Sequence, residues 1–230
     1  MEDWIDYYDS THTIYANKLH RDVHFDGIAR EITAFIASAD SVVLDYACGE
    51  ALSATKVAAA CSSLILEEPA PGVRGRLTPR FAANGKIRVC SLDDLTTLPP
   101  ASVDLAVMNS VAQYMTTSEL DQAFTVVRRL LKPSGKLVVG DILQPDVGMA
   151  ADVVALLRLA RRHGFLRDAL VGLVRTALSD YRALRNKVGL QRYSAPDMIA
   201  KLAASGFMAS RVPVNIGHNA SRMTFLAQPV

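Results

Sequence analysis

One segment, Ser41 to Ala54, constrains this chain more than any other. A short apolar run, Val42–Leu44, ends in an acid, Asp45. A turn of small residues follows, Ala47-Cys48-Gly49-Glu50-Ala51, and a helical pattern then begins. The order reads as a strand, a ligand-cradling loop and a helix N-terminus. Small residues let a ligand approach the backbone closely, and the start of a helix offers free N–H groups. A turn of this kind at the carboxyl end of a parallel strand is where open α/β sheets bind nucleosides. The acid just before the turn suits a ligand that carries an ammonium group, and it would repel a pyrophosphate. The G-x-G-x-x-G register of a dinucleotide site is not met either.

The rest of the chain extends this pattern. Leu64–Leu66, Ile87–Cys90, Val103–Met108 and Lys136–Val139 are further apolar runs, as expected for strands covered on both faces of a parallel sheet. Helical spacing predicts helices over Arg21–Ser38, Ala51–Cys61, Val73–Phe81 and Thr117–Leu131. Gly75 and Pro79 weaken the third. Thr117 or Ser118 is the expected N-cap of the fourth, with Glu119 and Asp121 in its first turn. The rhythm predicts a doubly wound, mostly parallel α/β sheet. The tail departs from it. Residues 148–190 read as two helices with almost no strand signal, and a further helix starts at Ser194 and is stopped by Gly206. Two strands follow, over 209–214 and 223–227, joined by the turn-rich 215–219. The expectation is a single domain over 1–230 with seven strands, a helical arm over 1–38 and a helical insertion over 148–190, before the last helix and strand pair.

On these residues the chain resembles the class I S-adenosylmethionine-dependent methyltransferases, whose cofactor loop is written D-x-G-x-G-x-G. Asp45, Gly49 and the small Ala47 and Ala51 fall on that pattern, so two of its three glycines are alanines here. A methyl group at a positive backbone angle costs about 1 kcal/mol. Leu98-Pro99 and Asp104, the run Asn109–Tyr114, then Leu131–Gly135 and Gly140–Ile142 follow in the family's order. The resemblance covers roughly Val42–Ile142, and 206–227 resembles the family's closing antiparallel pair. It implies a Rossmann-like methyltransferase fold, S-adenosyl-L-methionine as cofactor, and methyl transfer to a small-molecule or carrier-linked acceptor. Asp45 is expected at the ammonium, with Ala47, Cys48 and Gly49 forming the loop. Glu67, with Glu68 as fallback, is an acid at a strand end and suits a ribose. Asp93 or Asp94 would hold the adenine, Asn109 and Ser110 would also bind the cofactor, and Asn109, Gln113 and Tyr114 would sit beside the reactive methyl.

Tyr114, His24 and His218 are the candidate catalytic bases, with Asp141 a further one. The aromatic arm residues Trp4, Tyr7, Tyr8 and Tyr15 are expected to form a lid. Residues 148–190 are expected to cover the acceptor; Arg158, Arg161 and Arg162 share a helix face there and point to an anionic one. Leu166, Leu170, Leu173, Val174, Tyr181 and Leu184 make an apolar stripe in the same segment. Two other functions compete. A catalytically silent cofactor-binding module is motivated by Ala47 and Ala51. A nucleic-acid methyltransferase is disfavoured by a net charge of only +2 and by the lack of an Asn/Asp-Pro-Pro-Tyr/Phe signature after the fourth strand. The three cysteines are scattered and the five histidines lack metal spacing, so no metal is expected. Cys48 has no basic neighbour to make it a nucleophile. His20 and His24 form an i, i+4 pair for which a surface or capping place is the ordinary fate. The start Met1-Glu-Asp-Trp4 is acidic, unlike a signal peptide, and no apolar run reaches the roughly 18 residues of a membrane span. The expectation is a cytoplasmic protein.

Overall fold

The computed structural model of the chain describes residues 4–9, 15–178 and 190–230. The side chains of Tyr7 and Tyr8, and residues Tyr181 and Leu184, lie outside the described ones. Among the described residues the strands are β1 (Val42–Asp45), β2 (Ser63–Glu67), β3 (Ile87–Cys90), β4 (Val103–Asn109), β5 (Leu131–Ile142), β6 (Phe207–Val212) and β7 (Met223–Pro229). They form one sheet in the order β3-β2-β1-β4-β5-β7-β6. The first five are parallel, and β7 runs antiparallel to both β5 and β6.

The helices are α1 (Trp4–Asp9), α2 (Lys18–Thr33), α3 (Ala54–Ala59), α4 (Pro71–Phe81), α5 (Leu92–Thr97), α6 (Thr117–Leu130), α7 (Met149–His163), α8 (Leu166–Leu178) and α9 (Ala195–Ala204). Successive strand residues point to opposite faces. In β4, Leu105 and Val107 join Val43 and Val138 on one face, against Ile32 of α2, Val57 of α3 and Leu77 of α4. Ala106 and Met108 join Leu44 and Val139 on the other, against Leu95 of α5, Phe124 of α6 and Met198 of α9. Helices on both faces are what the unbroken apolar runs require.

The structure moves several boundaries. The cap of α6 is Thr116, not Thr117 or Ser118. Its hydroxyl accepts from the Glu119 N–H, and the Glu119 carboxylate accepts from the Thr116 N–H. The first long helix begins at Lys18 because the Asn17 side chain accepts from the His20 N–H at 2.7 Å. α3 is shorter than Ala51–Cys61, because the turn before it uses left-handed backbone at Ala51. α4 tolerates Pro79 in its last turn, where the lost N–H bond would have gone to Gly75. β5 begins at Leu131, and β6 begins at Phe207, whose side chain is buried in the core. α8 packs through Ala169, beside Phe165, rather than through the predicted stripe: Leu170 and Val174 are 48% and 59% exposed.

Candidate active site

The strand order reverses between β1 and β4, and ligands in open α/β sheets bind outside the carboxyl ends at that point. A cavity of about 670 Å³ lies there. β1 delivers Asp45 to its wall. The following loop is left-handed three times, at Ala47 (φ +53°), Gly49 (φ +59°) and Ala51 (φ +42°). Two acids from the end of β2 hold it in this shape. The Ala47 N–H donates to Glu67 Oε2 at 2.9 Å, and the Gly49 N–H donates to Glu68 Oε2 at 2.8 Å. These adjacent acids diverge. Glu68 lines the cavity, while Glu67 is only 1% exposed and its Oε1 is buried without a partner.

Asp45 and Glu68 thus share one corner of the cavity, with Glu67 buried behind it within reach of both charges. Burial pushes the Asp45 carboxyl up to about 7, and the Glu68 charge adds to the rise. Burial takes Glu67 up to about 8 against its bond from Ala47, and burial also raises Glu68. Such a group ionises at a cost that a bound cation removes. An ammonium with a neighbouring diol fits this corner. Burial, with the Asp45 charge second, keeps the Cys48 thiol well above its ordinary range, so it is no nucleophile at neutral pH.

The opposite wall is built by the ends of β4 and β5. Asn109, Ser110, Gln113 and Tyr114 line it. Ser110 and Asp141 are both left-handed, at φ +59° and +60°, and the Ser110 hydroxyl donates to Asp141 Oδ2 at 2.9 Å. Burial raises the Asp141 carboxyl, and the nearby Arg222 guanidinium opposes the rise. Arg222 also binds Asp152 of α7 at 2.7 Å, so the insertion is tied to the sheet by a half-buried ion pair. Opposite Asn109 stands Gly140, where an added Cβ would overlap Asn109 Oδ1.

Three histidines close the cavity: His20 and His24 from α2, and His218 from the loop before β7. Their ring centroids lie 5.8 Å (His24 to His218), 6.4 Å (His20 to His218) and 6.5 Å (His20 to His24) apart. His20 thus departs from a surface or capping place. It is 6% exposed, stacks on Phe165 at 5.1 Å, and its Nδ1 accepts from the Ala16 N–H at 3.2 Å. The neutral ring then carries its proton on Nε2. Burial, with the His218 ring second, lowers His24 to about 3 and His20 to about 4. Burial also lowers His218, but Asp152 pulls it back up. The cluster is uncharged at neutral pH.

The structure thus brings Asp45, Ala47, Cys48, Gly49, Asn109, Ser110, Tyr114, His24 and His218 around one cavity. Asp93 and Asp94 are not among its walls. Both are exposed at the start of α5, where Asp94 accepts from the Ser91 N–H at 2.7 Å in a capping box. Asp152 and Arg222 belong to the site without being candidates from sequence. Their signal was slight: an acid in the first turn of α7 and a basic residue directly before β7. Among the described residues no group of three or more His, Cys, Asp or Glu side chains could hold a metal ion, and no helix is long and apolar enough to cross a membrane.

A methyltransferase-domain family matches residues 44–139, somewhat under half of the chain. No curated protein sequence matches it. Solved structures share the fold at low identity. DhpI, in complex with SAH, has a TM-score of 0.62 at 11% identity, over 99% of this chain and 96% of that one. The YcgJ protein from Bacillus subtilis has a TM-score of 0.58 at 16% identity, over 82% and 71%. The 1,6-didemethyltoxoflavin-N1-methyltransferase of Burkholderia thailandensis has a TM-score of 0.55 at 16% identity, over 91% and 82%. The chain spans about half the length of others, such as PhzM (55%) and human N-acetylserotonin methyltransferase (51%). The methyltransferase-domain match falls on β1 through β5, the strands that build the loop, the acid corner and the opposite wall, and the solved structures share the Rossmann-like fold around them.

Proposed function

We propose that the chain methylates a small-molecule acceptor, with Asp45 holding the cofactor's ammonium and Glu68, rather than Glu67, taking the ribose hydroxyls. One observation carries this reading: a cation-seeking acid corner and a set of uncharged imidazoles face each other across a single cavity. S-adenosylmethionine supplies a methyl group that is already activated. What the chain adds is position, exclusion of water and a place for the acceptor's proton. Asn109, Ser110 and Tyr114 bound the region between the acid corner and the histidines. His218 is the better base of the pair, because Asp152 supports its protonated form more than Arg222 opposes it, while burial and the other two imidazoles all act against a protonated His24. His24 then orients the acceptor.

The arm and the insertion act as covers in this reading. Trp4, Tyr15 and Arg21 reach the cavity from the N-terminal side, and Asp152 and Leu156 of α7 reach it from the other. A small acceptor accords with the Burkholderia enzyme, whose structure holds 1,6-didemethyltoxoflavin. The left-handed Ala47 and Ala51 favour a second reading, a cofactor-binding module without turnover. Calorimetry with S-adenosylhomocysteine tests the first step. The wild-type chain should bind it, and Asp45→Ala and Glu68→Ala should each lose about 1–3 kcal/mol of binding, the worth of a charge-assisted bond. An absence of heat with both S-adenosylmethionine and S-adenosylhomocysteine would remove the reading. Binding without methyl transfer to any of a broad panel of phenols, amines and carboxylates would favour the silent module.

A further inference from the structure

A second cavity, of about 810 Å³, lies behind the histidines, between α2, α7 and the loop before β7. His24, Ile28, Gly217, His218 and Asn219 line both cavities, so the two meet at the proposed base. The charges around the second cavity are unequal in their commitments. Of its acids, Asp26 is occupied by Lys56 at 2.7 Å and by the Ser53 hydroxyl at 2.8 Å, and its carboxyl is held low by those bonds. Glu31 accepts from the Gly217 N–H at 2.6 Å, and burial raises its carboxyl. Of its cations, Arg30 sits beside Glu31. Arg158 and Arg162 stand four residues apart on α7, are exposed, and make no ion pair with a described carboxylate. Arg161, expected to act with them, is not in this wall. By contrast Arg222, a cation in the wall of the main cavity, is matched by Asp141 and Asp152.

Two unmatched guanidiniums at i, i+4 stand close enough to share one oxyanion, and guanidinium binds phosphate and carboxylate through paired hydrogen bonds. We propose that the second cavity is the seat for the anionic end of an elongated acceptor: its phosphate or carboxylate rests on Arg158 and Arg162, and its nucleophilic end passes His24 and His218 into the main cavity. The proposal rests on the methyltransferase reading for what happens in the main cavity. The anion seat itself can be tested without the cofactor.

Phenyl phosphate and benzoate are the probes, with phenol as the uncharged comparison, titrated into the full chain at low and high salt. The seat predicts that at least one anion binds and phenol does not, with affinity falling as salt rises. The stronger anion names the acceptor's class. Arg158→Glu and Arg162→Glu should each weaken that anion about tenfold or more, the usual loss for a charge-assisted bond. Arg161→Glu makes the same charge change outside the wall and should leave affinity within about twofold of wild type. S-adenosylhomocysteine affinity, measured on every variant, should not move, which also shows that each is folded. If neither anion binds, or if Arg161→Glu weakens binding as much as Arg158→Glu and Arg162→Glu do, the seat is overturned and these arginines only solvate a helix face. Binding of the anion with no binding of S-adenosylhomocysteine would retain the seat and reject the methyltransferase reading instead.

Discussion

Replacing Asp45 by asparagine should stabilise the ligand-free protein while destroying its grip on the cofactor. The side chain keeps its size and loses its charge. In the folded chain the carboxyl titrates at about 7 against an ordinary value of 3.8, chiefly because it is buried and secondarily because Glu68 is close. A raised carboxylate pKa means that the folded state holds its proton more tightly than the unfolded state. The stability cost is therefore absent below the unfolded value, grows as pH rises from 3.8 toward 7, and is complete above 7. Each tenfold gain in proton affinity on folding corresponds to about 1.36 kcal/mol, so the full cost is about 4 kcal/mol as an upper bound. Urea unfolding at pH 8 should show Asp45→Asn more stable than wild type by up to that amount. About 3 kcal/mol of the gain should vanish at pH 5, where the wild-type carboxyl is protonated in the fold. The denaturant slope should not change, since the same surface is exposed. S-adenosylhomocysteine should follow the reverse pattern, stabilising wild type most at pH 8 and the variant little at either pH. A variant no more stable than wild type at pH 8, or equally more stable at both pH values, would refute the argument that this acid is held ionised at the fold's expense.

Three further outcomes are expected. Ala47→Gly and Ala51→Gly should each raise stability by about 1 kcal/mol in urea unfolding, because both alanines adopt left-handed backbone that suits glycine; unchanged midpoints would show that the loop carries no strain. His218→Gln should lower turnover on an authentic acceptor without changing S-adenosylhomocysteine affinity, and the wild-type rate should fall as pH drops through the imidazole's lowered pKa, below 6.5, where the base becomes protonated; a wild-type rate flat from pH 4 to 8 would remove His218 as base. Asp9 accepts from the Val73 N–H at 2.9 Å, capping α4, whose own N-cap is Ala70. Asp9→Ala should therefore cost about 1 kcal/mol of stability and speed cofactor dissociation in stopped flow; an unchanged off-rate would detach the arm from cofactor retention.

The parallel core was legible because its strands are covered on both faces, so Val42–Leu44 and Val103–Met108 show as unbroken apolar runs. The small-residue loop at the cavity was legible as a turn for a related reason: small residues directly after such a run suit a tight, left-handed turn. What escaped depended on single-residue geometry. Glu67 and Glu68 are chemically alike, and only the alternation along β2 decides which one reaches the cavity. Asp93 and Asp94 follow a strand as an adenine acid would, but Ser91 lies three residues before Asp94 and turns the pair into the first turn of a helix. His20 looked like a surface residue because α2 shows little amphipathic contrast; its burial comes from Phe165, 145 positions away, which no local pattern reports. The apolar stripe on α8 was real as spacing, yet Phe165 and Ala169 rather than Leu170 and Val174 make the contact.

The antiparallel course of β7 has a consequence for how the protein comes into being. Because β7 runs against its neighbours, the loop before it opens at the same end of the sheet as the loop after β1, and residue 218 meets residues 20 and 24 there. On a ribosome the loop and acids proposed to hold the cofactor, residues 45–68, emerge early, and the imidazole proposed to take the acceptor's proton follows some 150 residues later. On this reading the acid corner is synthesised long before the base, and no acceptor can lose its proton to His218 until synthesis reaches the final hairpin.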